Sequence, residues 1–253
     1  MTGPLDPQQP NDPTRLAWIA GVGASAGLGA ALARRFSSEG LTVAVTGRSH
    51  ERLDAVVGEI RAAGGHAIAL PGDVTSASDL AAITGRLAGT GTLEVAIFNA
   101  AGATRALTLE LTAEQFEAAW RVTTFGGFLF AREALQLLLE SGRGSLLFTG
   151  ATASLRGRPP FAAFASAKAG LRSLTQSLAR EFGPRNIHVA HVVVDGGIDG
   201  ERLRTASPQR AAERGADGLL NPADIADAYW YLHQQARSAW SQEIDLRPFN
   251  ESF

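Results

Sequence analysis

Residues 16–36 read LAWIAGVGASAGLGAALARRF, and the order of side chains in this stretch decides the fold. The apolar run 16–20 suits a buried strand. Glycines at 21, 23, 27 and 29 follow it, and then apolar residues return at helical spacing. That is strand, tight turn, helix. Gly23, Gly27 and Gly29 let the backbone approach a diphosphate where a Cβ would collide. A helix opening near Gly27 and Leu28, with Ser25 in the turn before it, aims unpaired N–H groups and a positive dipole end at that anion. The reading is a dinucleotide cradle, spaced Gly-x3-Gly-x-Gly rather than the more usual Gly-x-Gly-x-x-Gly. The segment Gly23-Ala-Ser25-Ala-Gly27 also fits the Gly-x-Ser-x-Gly elbow of hydrolases, with Ser25 as nucleophile. Against that rival, the elbow normally follows several strands, and here it follows the first. No His-Gly-Gly segment offers an oxyanion site.

Composition narrows the class. A chain of 253 residues with 45% hydrophobic content can build one large α/β domain with a full core. The net charge is −2, with both signs mixed along the chain. No basic face points to nucleic acid and no polybasic run to a membrane surface. Cysteine is absent, which excludes disulfides and thiolate chemistry and fits a cytoplasmic home. No apolar run reaches the ~18 residues of a membrane span. Residues 1–13, MTGPLDPQQPNDP, carry four prolines and are expected to be a disordered extension. Residues 14–253 are expected to form a single domain, with no metal site.

Strand and helix patterns alternate along that domain. Strands are predicted at 41–46, 66–70, 93–98, 145–149, 187–194 and, weakly, 244–246. Helices are predicted at 51–63, 76–87, 161–182 and 221–235, with one long helix over 112–140. Residues 196–221 resist assignment. Strands apolar on both faces and alternating with helices imply a Rossmann-like, doubly wound parallel sheet of about seven strands, covered on each side. Ligands of such sheets bind beyond the carboxyl ends of the strands, so residues after positions 20, 46, 98, 149 and 194 should matter.

After the second strand stands Arg48. An acidic residue there would hold a ribose 2′-hydroxyl, whereas a guanidinium suits a 2′-phosphate. NADP(H) is therefore favoured over NAD(H), with a solvated loop arginine as the plain alternative. Asp73 and Val74 follow the third strand and could flank the adenine. Asn99-Ala100-Ala-Gly102 follows the fourth, small enough for a close cofactor approach.

With these residues in view, the chain resembles the short-chain dehydrogenase/reductase family over about residues 15–247. The Gly23-x3-Gly27-x-Gly29 turn, Asp73-Val74, the Asn99 to Gly102 turn and Phe164-x3-Lys168 stand in the family's order and spacing. The resemblance implies that Gly23 to Gly29 bind the pyrophosphate, Arg48 the 2′-phosphate and Asp73 the adenine. Asn99 would hold the central sheet beside the cofactor, and Lys168 would bond the nicotinamide ribose. The segment after the sixth strand, with Ile198, would lie beside the nicotinamide. It also implies hydride transfer between nicotinamide and a carbonyl carbon, with a Tyr phenol protonating the oxygen, a Ser orienting it and an Asn holding a water relay.

At those last three positions the chain departs from the family. Phe164 stands for the Tyr, Ala151 for the Ser and Thr123 for the Asn, so Lys168 alone remains of the four. Thr152 is a nearby hydroxyl that could orient a carbonyl. Both tyrosines, Tyr229 and Tyr231, fall on a late helix and are expected to pack away from the nicotinamide. His50, His66, His188 and His233 are expected outside the pocket, and His191 is expected to be structural. Asp195 stands where the family has Pro, as a polar group or a turn residue. Arg156 and Arg158 lie in a loop beside the pocket.

Three readings follow. The first is an NADP(H)-dependent oxidoreductase with altered proton handling, which could reduce an activated C=C or a carbonyl of an unidentified small molecule. The second is a catalytically silent cofactor-binding protein, a sensor or partner subunit. The third is a non-redox enzyme reusing the pocket. Apolar residues on both sides of the helices over 112–140 and 161–182 (Phe125, Phe128, Leu129, Phe130, Leu171, Leu174, Leu178) suggest pairing into a homodimer or homotetramer.

Overall fold

The computed structural model describes residues 14–102 and 104–252; the extension expected at 1–13 lies outside the described residues. Seven parallel strands form one sheet in the order β3-β2-β1-β4-β5-β6-β7. The strands are β1 (Arg15–Ala20), β2 (Thr42–Thr46), β3 (Ala67–Ala69), β4 (Thr92–Phe98), β5 (Gly144–Thr149), β6 (Ile187–Val194) and β7 (Glu243–Leu246). The chain starts in the middle, winds outward to β3, then returns past β1 to β4. That reversal makes the β1/β4 boundary the switch point, with its crevice at the carboxyl ends of the strands.

Helices cover both faces. Side chains of Ile19, Val43, Val45, Ile97, Leu147 and Val192 pack under α1 (Leu28–Ser38), α2 (His50–Ala62) and α9 (Pro222–Gln234). The alternate residues, Trp18, Ala44, Ala96, Phe98, Leu146 and Phe148, pack under α3 (Ala77–Ala88), α5 (Gly126–Glu140) and α6 (Ala162–Phe182). Each central strand thus buries both of its faces, which is why it reads as an unbroken apolar run.

Helix starts follow their caps. Ser49 and Ser76 accept from the N–H groups of Arg52 and Asp79, and Asn221 accepts from Ala223 ahead of Pro222. Thr112 and Gln115 cap each other at the start of α4 (Ala113–Trp120).

The long helix expected over 112–140 is not continuous: a π-helical turn, Arg121–Phe125, separates α4 from α5. Hydrophobic periodicity carries no signal for one inserted residue per turn. The stretch left unassigned holds two short helices, α7 (Glu201–Ala206) and α8 (Pro208–Glu213), and a bridge between Ile198 and Leu220. Among the described residues no helix is long and apolar enough to cross a membrane, and no three His, Cys, Asp or Glu residues are grouped to hold a metal.

Candidate active site

The turn after β1 is clamped from both neighbours. Gly21 and Val22 both donate their N–H to Thr46 O, at 2.9 and 3.0 Å. Asn99 Nδ2 donates to Gly21 O at 3.1 Å. Gly21 has φ +89°, and a Cβ there would stand 2.4 Å from Ala100 N, so only glycine serves. At Gly29 a Cβ would stand 2.7 Å from Gly21 O, which fixes α1 tightly on the turn. Gly23, by contrast, faces open space. Helix α1 begins after Gly27 with no side-chain cap and no acid in its first turn. A bare, positively polarised helix end beside open backbone can receive a diphosphate.

Ser25 is turned the other way. Its hydroxyl donates to Glu59 at 2.7 Å, and Arg34 binds both Glu59 and the Ser25 carbonyl. No histidine is among its partners, so nothing there would activate it as a nucleophile. The segment before α7 roofs the turn: a Cβ on Gly200 would lie 3.0 Å from Ala26 O.

Beyond β2 and β3 a cleft of about 330 Å³ is lined by Arg48, His50, Pro71, Gly72, Asp73 and Asp79. Arg48 is exposed and, among the described residues, has no hydrogen-bond or ion-pair partner. Asp73 Oδ1 accepts from the N–H and hydroxyl of Thr75, both at 2.8 Å, and its own N–H donates to Asp79 Oδ2 at 2.9 Å. That bond, with one from the Ser76 hydroxyl, holds the Asp79 carboxyl below its ordinary range. Val74 is buried against Gly126. His50, expected outside the site, lines this cleft beside Arg48; as the first residue of α2 it is carried there by the Ser49 cap.

At the ends of β5 and β6 the structure brings together the positions counted from sequence. Lys168 is buried, and its Nζ donates to Thr149 O at 2.6 Å. Burial, with a smaller push from the Arg202 charge, lowers its pKa to about 7. The Phe164 ring lies 5.9 Å from that nitrogen and offers a π face instead of a phenol. Thr123, in the π-helical turn, is fully buried, and its hydroxyl accepts from the Gly102 N–H at 3.1 Å. Ala151 N–H donates to Ser154 Oγ at 3.1 Å. The Thr152 hydroxyl donates to Asp195, a buried carboxylate flanked by Arg156 at 3.9 Å and Arg247 at 3.7 Å. The Asp195 side chain thus meets Thr152, Arg156 and Arg247. Ile198 pairs with Leu220 in the roof.

Tyr229 is fully buried on the α1 and α9 face, and Tyr231 is exposed. The Tyr229 phenol donates to Thr149 Oγ1 at 2.7 Å, which in turn donates to Asn99 Oδ1 at 3.0 Å. Burial pushes the phenol above its ordinary range.

Sequence reading missed one chain of contacts. Ser154 Oγ lies 3.3 Å from His191 Nε2, and His191 Nδ1 lies 2.9 Å from Glu243 Oε2. Arg172 grips the same carboxylate with two bonds, at 2.6 and 2.7 Å. Burial lowers His191 to about 4, so the ring is neutral near pH 7. Its partners lie 37 and 52 residues away, and only the sheet order makes them neighbours.

Comparison with known proteins places the chain among relatives. A family model described as short chain dehydrogenase matches residues 17–211. The 2,3-dihydro-2,3-dihydroxybenzoate dehydrogenase of Bacillus subtilis is 30% identical over 227 residues, covering 83% of this chain and 86% of that protein. A short-chain dehydrogenase from Rhodopseudomonas palustris superposes with a TM-score of 0.78 at 38% identity, covering 93% of this chain and 98% of that one. A metagenomic short-chain oxidoreductase solved with NADP superposes at 0.77 with 27% identity, covering 93% and 97%.

Proposed function

We propose, from the premise that this chain belongs to the short-chain dehydrogenase family, that it is an NADP(H)-dependent oxidoreductase whose proton handling does not use residue 164. The observation that carries the cofactor reading is the unpartnered Arg48 lining an open cleft after β2 and β3, together with the uncapped N-terminal end of α1 after β1. Gly23, Gly27, Leu28 and Gly29 would take the diphosphate, with Ser25 in the same turn. Asp73 and Val74 would border the adenine, and Arg48 the 2′-phosphate. Asn99, Ala100, Gly102 and Ile198 would border the nicotinamide, and Lys168 its ribose. Bound there, the cofactor supplies hydride exchange with a carbon of a small-molecule substrate. Several relatives support that direction, among them a glucose 1-dehydrogenase of Gluconobacter oxydans and the dihydrodiol enzyme above.

Phe164 cannot give a proton and Ala151 cannot hydrogen-bond through its side chain. The oxygen formed at the reacting carbon therefore needs another donor. Lys168, with a pKa near 7 and one hydrogen bond on Thr149 O, retains N–H groups for a ribose hydroxyl. The assembly proposed is still a homodimer or homotetramer, but Leu129, Phe130, Leu171 and Leu178, expected on its face, are buried in the core, and Phe116, Trp120 and Phe128 of α4 and α5 are the exposed apolar side chains that would carry it.

Arg48→Asp tests the cofactor reading. Fluorescence titration should show NADPH binding weakened by about tenfold or more relative to NADH, the scale of one lost charge-assisted pair. An unchanged preference would remove the 2′-phosphate assignment.

A further inference from the structure

We propose, on the strength of the cofactor reading above, that Tyr229 is a positioning residue for the dinucleotide, setting the glycine turn after β1 through two intermediate side chains, Thr149 and Asn99. No step described so far uses its phenol.

A phenol at this place needs a reason. Tyr229 stands on α9 with no exposed surface, in the same apolar cluster as Ile19, Val192 and Ile225. A phenylalanine would fill that place without bringing a polar atom into it. A buried O–H is tolerated only with a partner. Among the described residues that partner is Thr149 Oγ1, at 2.7 Å.

The direction of the bonds follows from the far end. Gly21 O only accepts, so the end of the Asn99 amide facing it at 3.1 Å is the NH2 group. The other end, Oδ1, is an acceptor, and the Thr149 hydroxyl 3.0 Å away gives it its single hydrogen. Thr149 Oγ1 is left with lone pairs alone, and Tyr229 must donate. The chain runs one way: Tyr229 to Thr149, Thr149 to Asn99, Asn99 to Gly21. Burial holds the proton on the phenol, so the first donor is constant through the neutral range.

Each bond fixes the next. Without Thr149, the Asn99 amide would be free to turn end for end. Without the phenol, the Thr149 hydroxyl would be free to swing about its C–O bond. The group fixed at the end is Gly21 O. A Cβ on Gly29 would stand 2.7 Å from that same oxygen, so the first turn of α1 rests on it. Its orientation therefore sets the backbone of Gly23, Gly27 and Gly29. Lys168 is held separately, by the main-chain carbonyl of Thr149 at 2.6 Å and not by its hydroxyl. Deleting the hydroxyl leaves the lysine its acceptor.

The test uses the full chain and NADPH, with the dissociation constant read by fluorescence titration. Tyr229→Phe keeps the ring and removes only the O–H. It should raise the constant about threefold or more, the scale of one neutral hydrogen bond. Thr149→Val should do the same, and Thr149→Ser, which keeps the hydroxyl, should bind as the parent does. In the Thr149→Val background Tyr229→Phe should have no further effect, because the phenol then has nothing to hold. Hydrogen–deuterium exchange of the cofactor-free chain gives a second readout. Residues 21–29 should exchange faster in Tyr229→Phe, while residues 50–69, which hold α2 and β3, exchange as in the parent; a general loss of stability would not spare them. A constant unmoved in Tyr229→Phe, losses that add in the double variant, or a loss in Thr149→Ser equal to that in Thr149→Val overturns the proposal. So does exchange that is unmoved over 21–29 or raised equally over both stretches. A parent chain that binds no dinucleotide overturns the cofactor reading as well, whereas a parent that binds NADPH, with no change in Tyr229→Phe, leaves that reading standing.

Discussion

Residue 164 sets the chemical question. A phenol there would sit on the helix face of Lys168, one turn away, and a phenyl ring sits there instead. Restoring the missing groups is therefore informative. Phe164→Tyr with Ala151→Ser should raise reduction of simple ketones by NADPH about tenfold or more, read as kcat/KM. No gain would mean that the two positions do not flank the reacting oxygen. These positions were legible in sequence because short spacings within one loop and one helix survive folding unchanged. Asp195 was half legible: its place after β6 was clear, but its bond to Thr152 depends on strand pairing. Ser154, His191 and Glu243 were not legible as a group, since no local pattern connects three strands' worth of separation.

At the scale of elements, the strands were readable because burial on both faces leaves an apolar run. The helices were readable because their caps are encoded by single residues such as Ser49, Ser76 and Asn221. The π-helical turn at Arg121–Phe125 escaped because it changes the phase of a helix without changing its composition. That phase matters outside the site. Phe116, Trp120 and Phe128 on α4 and α5 are each more than two-fifths exposed. Apolar side chains gathered on neighbouring helices are a surface that water disfavours. Light scattering should give a dimer or tetramer at micromolar concentration, and Phe128→Glu should shift it toward smaller species. A monomeric parent chain would refute the pairing.

The whole molecule has an acid-sensitive interior. His191 and His233 are both lowered to about 4 by burial, against 6.5 for a free ring. Both stay neutral in the folded chain and take up protons when it unfolds below about pH 6.5. Stability should therefore be flat near pH 7.5 and fall as pH drops from about 6.5 toward 4. His191 alone accounts for a loss on the order of 2 kcal/mol at pH 5. Urea midpoints at pH 7.5 and pH 5 measure this, and His191→Gln should reduce the difference by about half, His233 keeping the rest. An unchanged midpoint would contradict the burial of these rings.

Trp18 lies at the centre of the sheet with no exposed surface, its indole nitrogen donating to Thr46 Oγ1 at 2.9 Å and its ring 4.4 Å from that of Phe130. Trp120 is 41% exposed. A dissolved quencher such as acrylamide can reach the second indole and not the first, so the protein's ultraviolet emission divides into a silenced part and a protected part. Of the four tryptophans Trp18 is the fully buried one, and its protected light, from three residues before Gly21, makes the molecule its own lamp for whatever settles at that turn.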